Sequence, residues 1–162
     1  MNILKSSARD QQGAMLLESL IAILIFSIGI LAIIGLQAAS VRMSGDAKYR
    51  TDANLLVNKV IGQMWADDHT PAQLALKYSN LSGASGVGYI AWASDVMGVL
   101  PGVLGVPANQ PTIAVVPVIN GNTPIAAANA TSSQITVTVF WQLPGEAQAQ
   151  PPHSAMTVAQ IR

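Results

Sequence analysis

Residues 14–36, AMLLESLIAILIFSIGILAIIGL, form an apolar run that contains no proline and only one charge, Glu18. A helix needs about 20 apolar residues to cross a bilayer core, so this run predicts a membrane-spanning helix. Past it the pattern changes from continuous to periodic. Ala53, Leu56, Val57, Val60, Ile61 and Met64 recur at helical spacing and place one apolar stripe on one face. Arg50, Asp52, Asn54, Asn58 and Lys59 take the other face. The first proline of the chain is Pro71, and Asp67-Asp68-His69-Thr70 before it reads as a helix exit. A single helix over residues 14–65 would be roughly 75–80 Å long, with its first half in the membrane and its second half packed on a soluble domain.

The remaining elements are shorter. Residues 73–78 predict a short helix, LSGASGVG a flexible loop, and residues 93–99 a second short helix stopped by Leu100-Pro101-Gly102. Thr112–Ile119 is apolar and β-branched and predicts a strand, with Pro117 favouring an edge or an end. Asn120-Gly121-Asn122 marks a turn, and residues 123–133 read as a low-complexity surface stretch. Ile135, Val137, Val139 and Trp141 alternate along one strand, and after the loop LPGEAQAQPP residues 154–161 alternate again. These last two strands are expected to pair as an antiparallel hairpin. With the strand near Thr112 they form a small sheet that receives the stripe of the long helix, which makes the fold class α+β.

Composition narrows the function. The chain has 162 residues, 10% of them charged, and a formal net charge of zero. That gives room for one helix-anchored domain and no electrostatic reason to bind nucleic acid. There is no cysteine, hence no disulfide, thiolate catalyst or cysteine-ligated metal. His69 and His153 lie in proline-flanked, loop-like settings without a carboxylate-and-nucleophile constellation. Asp67-Asp68-His69 lacks further ligands at metal-binding spacing. Gly83, Gly86 and Gly88 lack the helix and lysine of a phosphate-binding loop. Trp65, Trp92 and Trp141 are expected in packing roles. No catalytic, cofactor-binding or metal-binding residue is therefore expected, and the chain does not read as an enzyme.

What precedes the apolar run carries the strongest functional signal. The polar leader MNILKSSARDQQG, with Lys5 and Arg9, meets the run at Gly13-Ala14. In a secretory signal the small-residue cleavage site follows the apolar core, and the core is lost. Cutting after Gly13 would keep the helix on the mature chain, with its new amine four residues from Glu18 on the same helical face. A carboxylate inside a membrane helix costs roughly 2.5–3.5 kcal/mol on insertion scales and calls for a partner, which that amine would supply. The alternative from the residues alone is a signal anchor holding an unrelated periplasmic domain, with Glu18 reaching headgroups. Charge flanks do not fix topology, because Arg42, Lys48 and Arg50 balance Lys5 and Arg9.

The segment Gly13-Ala14-Met15-Leu16-Leu17-Glu18 resembles the junction of type IV pilins and pseudopilins, a glycine-ended leader followed by a pattern such as Gly-Phe-Thr-Leu-Ile-Glu. It departs in Ala14, where phenylalanine is commoner, and in Met15, where threonine or serine is usual. The resemblance implies prepilin peptidase cleavage between Gly13 and Ala14, N-methylation of Ala14, and pairing of Glu18 with the amine of a neighbouring subunit. It also implies a pilin fold. Gly29 and Gly35 have two readings: helix-loosening positions like those of the family, or small residues that let neighbouring helices approach.

A narrower likeness is to the PilV-type minor pilins. It rests on GLQAAS after the apolar run, a helix ending near Met64-Trp65-Ala66-Asp67, the central LPG, and the late strand ITVTVFWQ. It implies a low-abundance subunit that initiates or primes pilus assembly together with other minor pilins, the major pilin and a tip adhesin. Its location would be the inner membrane, with a periplasmic C-terminal domain, and then the pilus. The lack of a C-terminal disulfide, common in major pilins, leans toward a minor subunit or a pseudopilin. The nearest alternative is a minor pseudopilin of a type II secretion system.

Overall fold

A computed structural model describes residues 8–81, 85–119, 123–146 and 151–162. The first part of the leader, the Asn120-Gly121-Asn122 turn and the middles of the LSGASGVG and LPGEAQAQPP loops lie outside these residues. The chain divides into two compact units, Met1–Ser44 and Gly45–Arg162. Helix α1, Ala8–Ala66, begins six residues before Ala14 and continues without a break through Gly29 and Gly35. Its apolar N-terminal part makes it long and apolar enough to cross a membrane.

In the second unit the predicted stripe is the core face of α1. Ala53, Leu56, Val57, Val60 and Met64 are buried and Ile61 is half-buried against the same cluster. Trp65 departs from its expected packing role and is 49% exposed. One residue past Met64 turns the helix by about 100°, off the stripe, and Trp65 has the His69 ring 6.4 Å away. Asp67 ends the helix as expected.

Helix α2, Pro71–Tyr78, places Leu74 and Tyr78 in the core. Helix α3, Val87–Val99, starts six residues earlier than the sequence predicts and takes in the end of the glycine-rich loop. The glycines there serve close packing. A Cβ on Gly86 would lie 2.1 Å from the Lys77 carbonyl oxygen, and the ring of Tyr78 fills the space beside Gly88. Trp92 of α3 donates its indole N–H to the Leu56 carbonyl at 2.9 Å and so ties α3 to α1. Leu100-Pro101-Gly102 ends α3. Gly102, at φ +74°, sits against Gln142, whose N–H bonds the Pro101 carbonyl.

The sheet has four strands, one more than expected: β1 (Thr112–Ile119), β2 (Thr123–Pro124), β3 (Ser132–Trp141) and β4 (His153–Ile161), in the order β2-β1-β3-β4, all antiparallel. The 123–133 stretch is thus not a plain surface loop. It supplies β2, a 3-10 turn at Ala127–Asn129 and the first residues of β3, where Ser132 and Ser133 are buried. Ile135, Val137, Val139 and Trp141 of β3, with Ile113 and Ile161, form the inner face against α1 and α3. Pro117 lies in β1, which β2 covers only at Val118 and Ile119. The Pro117 carbonyl points away from β3 and accepts the Ile125 N–H, so the missing proline N–H removes no bond to β3. The result is a pilin-like α+β fold, a long N-terminal apolar helix followed by a small antiparallel sheet.

Candidate functional site: the apolar part of α1

From Gly13 to Ser44 the first unit is a bare helix surface. Every residue from Gly13 to Met43 is exposed, including Phe26, Leu31 and Leu36. Burial of such a surface is strongly favourable, since at about 25 cal/mol per Å² each exposed leucine or isoleucine gains on the order of 2 kcal/mol from it. The polar side chains of the run separate into two kinds. Ser19 Oγ donates to the Met15 carbonyl at 2.8 Å and Ser27 Oγ to the Ile23 carbonyl at 2.7 Å, so both hydroxyls are satisfied within the helix. Glu18 has no hydrogen-bond or ion-pair partner among the described residues. It is the single group in the run that an apolar surrounding leaves uncompensated.

Helix geometry gives Glu18 specific neighbours. At about 100° per residue, Ala14, Ala22, Ile25, Gly29, Ala32 and Leu36 lie within about 40° of its direction, while Leu16, Leu20, Leu31 and Ile34 lie opposite. Four of these six residues on the Glu18 side are alanine or glycine, so a second helix can come close to the carboxylate there. Gly13 and Ala14 lie inside α1, exposed, and a Cβ on Gly29 or Gly35 would meet nothing within 4 Å. The structure thus brings Ala14, Glu18 and Gly29 to one face and leaves Gly35 off it.

Elsewhere the titratable groups form joints. The Asp67 carboxylate receives the Lys77 ammonium and the Tyr78 hydroxyl, the latter at 3.0 Å, and ties the end of α1 to α2. The Lys77 hydrogen bond is the first cause holding the Asp67 carboxyl below the usual range, followed by Tyr78. Burial, then Asp67, pushes the Tyr78 phenol up to about 12. Asp68 caps the Thr70 N–H, and His69 lies against the Asp67 carbonyl. The Asp67-Asp68-His69 cluster is thereby a helix exit, and no set of three His, Asp or Glu side chains among the described residues is placed to hold a metal.

His153 differs from its sequence reading. It opens β4 instead of lying in a loop, and it has two carboxylates beside it. Its Nε2 is 3.1 Å from Glu146 and its Nδ1 3.6 Å from Asp46, and its ring stacks on Trp141 at 5.8 Å and 16°. The His153 contact, then the Leu143 N–H, holds the Glu146 carboxyl below the usual range. The contacts of His153 are two carboxylates and the Trp141 ring, and it works as a clasp between α1, the β3–β4 loop and β4. Asp46 and His153 are too far apart in sequence for any spacing rule to pair them; the local signal is Glu146, seven residues before His153 in the loop that leads into β4.

No protein-family model matches the chain, and neither a curated protein nor a solved structure matches it.

Proposed function

We propose that the chain is a minor subunit of a type IV pilus that takes part in initiating or priming filament assembly. The observation that carries the reading is Glu18, the one uncompensated polar group on an exposed apolar helix, one turn after Gly13-Ala14. Prepilin peptidase would cut between Gly13 and Ala14 in the bacterial inner membrane, leaving a charged, N-methylated Ala14 amine. The helix then holds the chain in the lipid with its sheet-bearing unit in the periplasm. On assembly the helix moves from lipid into a bundle of like helices contributed by other minor pilins and the major pilin, with a tip adhesin as a further partner. In that bundle the Glu18 carboxylate pairs with the terminal amine of a neighbour. A buried unpaired carboxylate costs several kcal/mol, so the pair fixes axial register more than it adds net stability. The apolar side chains supply the burial and Glu18 the alignment.

The test is Glu18→Ala. The variant is expected to be cut and membrane-inserted like the parent, yet to be strongly depleted from sheared filaments relative to the membrane pool. Filament content equal to that of the parent would remove Glu18 from assembly.

A further inference from the structure

The two edges of the sheet are treated differently. On the β1 side, Asn80 acts as a one-residue strand: its N–H donates to the Ile113 carbonyl at 3.3 Å, and its Oδ1 accepts the Ile113 N–H at 2.8 Å. Farther along that edge Pro117 has no N–H to offer, Ile125 occupies its carbonyl, and β2 pairs with Val118 and Ile119. Natural sheets blunt their edges with devices of this kind, because unpaired N–H and C=O groups template further strands.

Among the described residues the β4 edge has none of them. Between His153 and Arg162 the strand carries no acidic or basic residue other than His153, and no proline or glycine. The direction of its backbone groups follows from the register. Ile113 points its N–H and C=O at Asn80, away from β3, so its partner Val137 bonds β4 instead; by alternation the β3-bonded residues of β4 are Ala155, Thr157 and Ala159. Ser154, Met156 and Val158 therefore turn their N–H and C=O groups outward, and none of these groups has a partner among the described residues. The side chains of Met156 and Val158 stand beside them on the outer sheet face, 67% and 53% exposed.

We propose that this edge is a pairing site for β4 of a second copy of the chain, giving a continuous eight-stranded antiparallel sheet across a two-fold axis at Thr157. The strand is self-complementary in that register. Met156 lies opposite Val158 of the second copy and Val158 opposite its Met156, each pair exchanging two backbone hydrogen bonds and making an apolar cross-strand contact. On the inner face Thr157 meets Thr157, and Ala155 meets Ala159, so the facing side chains of the two strands are small. His153 falls opposite Ile161, and no like charges are paired within the strand. An isologous contact of this kind closes on itself and does not propagate into fibres. The pairing is independent of the fate of the leader and of Glu18.

The absence of cysteine from the chain makes the test clean. Full-length Met156→Cys and Val158→Cys chains are purified separately in detergent, then mixed under mild oxidation. The register puts the two thiols in directly opposed positions with Cα atoms about 5.5 Å apart, within disulfide reach, so the mixture is expected to give roughly tenfold more disulfide-linked dimer than either variant alone. Val158→Pro removes an outward N–H that the single chain does not use, as Pro117 lacks one on β1; added to the Met156→Cys chain, it is expected to lower the disulfide yield with the Val158→Cys chain with no loss of melting temperature. Disulfide yield in the mixture no higher than in the single variants overturns the proposal and leaves the edge to a strand from a different protein.

Discussion

Tyr78 and the two buried tryptophans show how single side chains hold the second unit together. The Tyr78 phenol, ordinarily ionising near 10, is pushed up to about 12 by burial and by Asp67. A raised folded-state value means that its contribution is fully present below pH 10 and is lost as the pH rises through about 12. Alkaline titration followed by tyrosinate absorbance is expected to show one late-ionising phenol accompanying unfolding, and Asp67→Asn is expected to bring it earlier. Trp92 and Trp141 are equally buried but unequally bonded: Trp92 donates to Leu56, whereas the Trp141 indole N–H has no partner among the described residues. Trp92→Phe is therefore expected to cost about 1–2 kcal/mol more than Trp141→Phe in chemical denaturation, the value of one buried hydrogen bond. Equal losses would mean that packing alone decides both sites.

Among the elements, α1 and the β3–β4 hairpin are the ones a reader of the sequence sees, because each repeats one period long enough to be unambiguous. The stripe from Ala53 to Met64 keeps the helical period and packs as predicted, while Trp65, one step outside it, does not. The alternation from Ile135 to Trp141 keeps period two and buries the expected face. The start of α3 is hidden because glycine has two physical meanings. In LSGASGVG it reads as flexibility, yet at Gly86 it permits a backbone approach that any Cβ would block. Gly86→Ala is accordingly expected to destabilise the second unit by about 2 kcal/mol, in the range of overpacked sites, as measured by urea unfolding. Strand β2 is hidden for another reason. Two residues carry no period, and Thr123–Pro124 becomes a strand only because β1 presents Val118 and Ile119 to it. The His153 clasp is likewise assembled by the fold, from Asp46 on α1, Glu146 in a loop and the first residue of β4.

At the scale of the whole chain the candidate site is the part most legible in the sequence, since it depends on one helix and on no tertiary contact. Gly13, Ala14 and Glu18 keep their relation along any helix, and the structure adds that Ala22, Ile25, Gly29, Ala32 and Leu36 share the Glu18 face while both serines of the run satisfy themselves. What no reading of one chain supplies is the second helix that the Glu18 face would meet, because the partner of that carboxylate belongs to another molecule. Entry into a filament requires that the leader be removed and the apolar helix retained. Its most direct test is the mature N terminus, read by mass spectrometry on the full chain expressed with and without a prepilin peptidase. The predicted result is a terminus at Ala14, methylated, that appears only when the peptidase is present. An intact leader under both conditions, or a cut beyond Leu36, would contradict it and make Glu18 incidental to a simple membrane anchor.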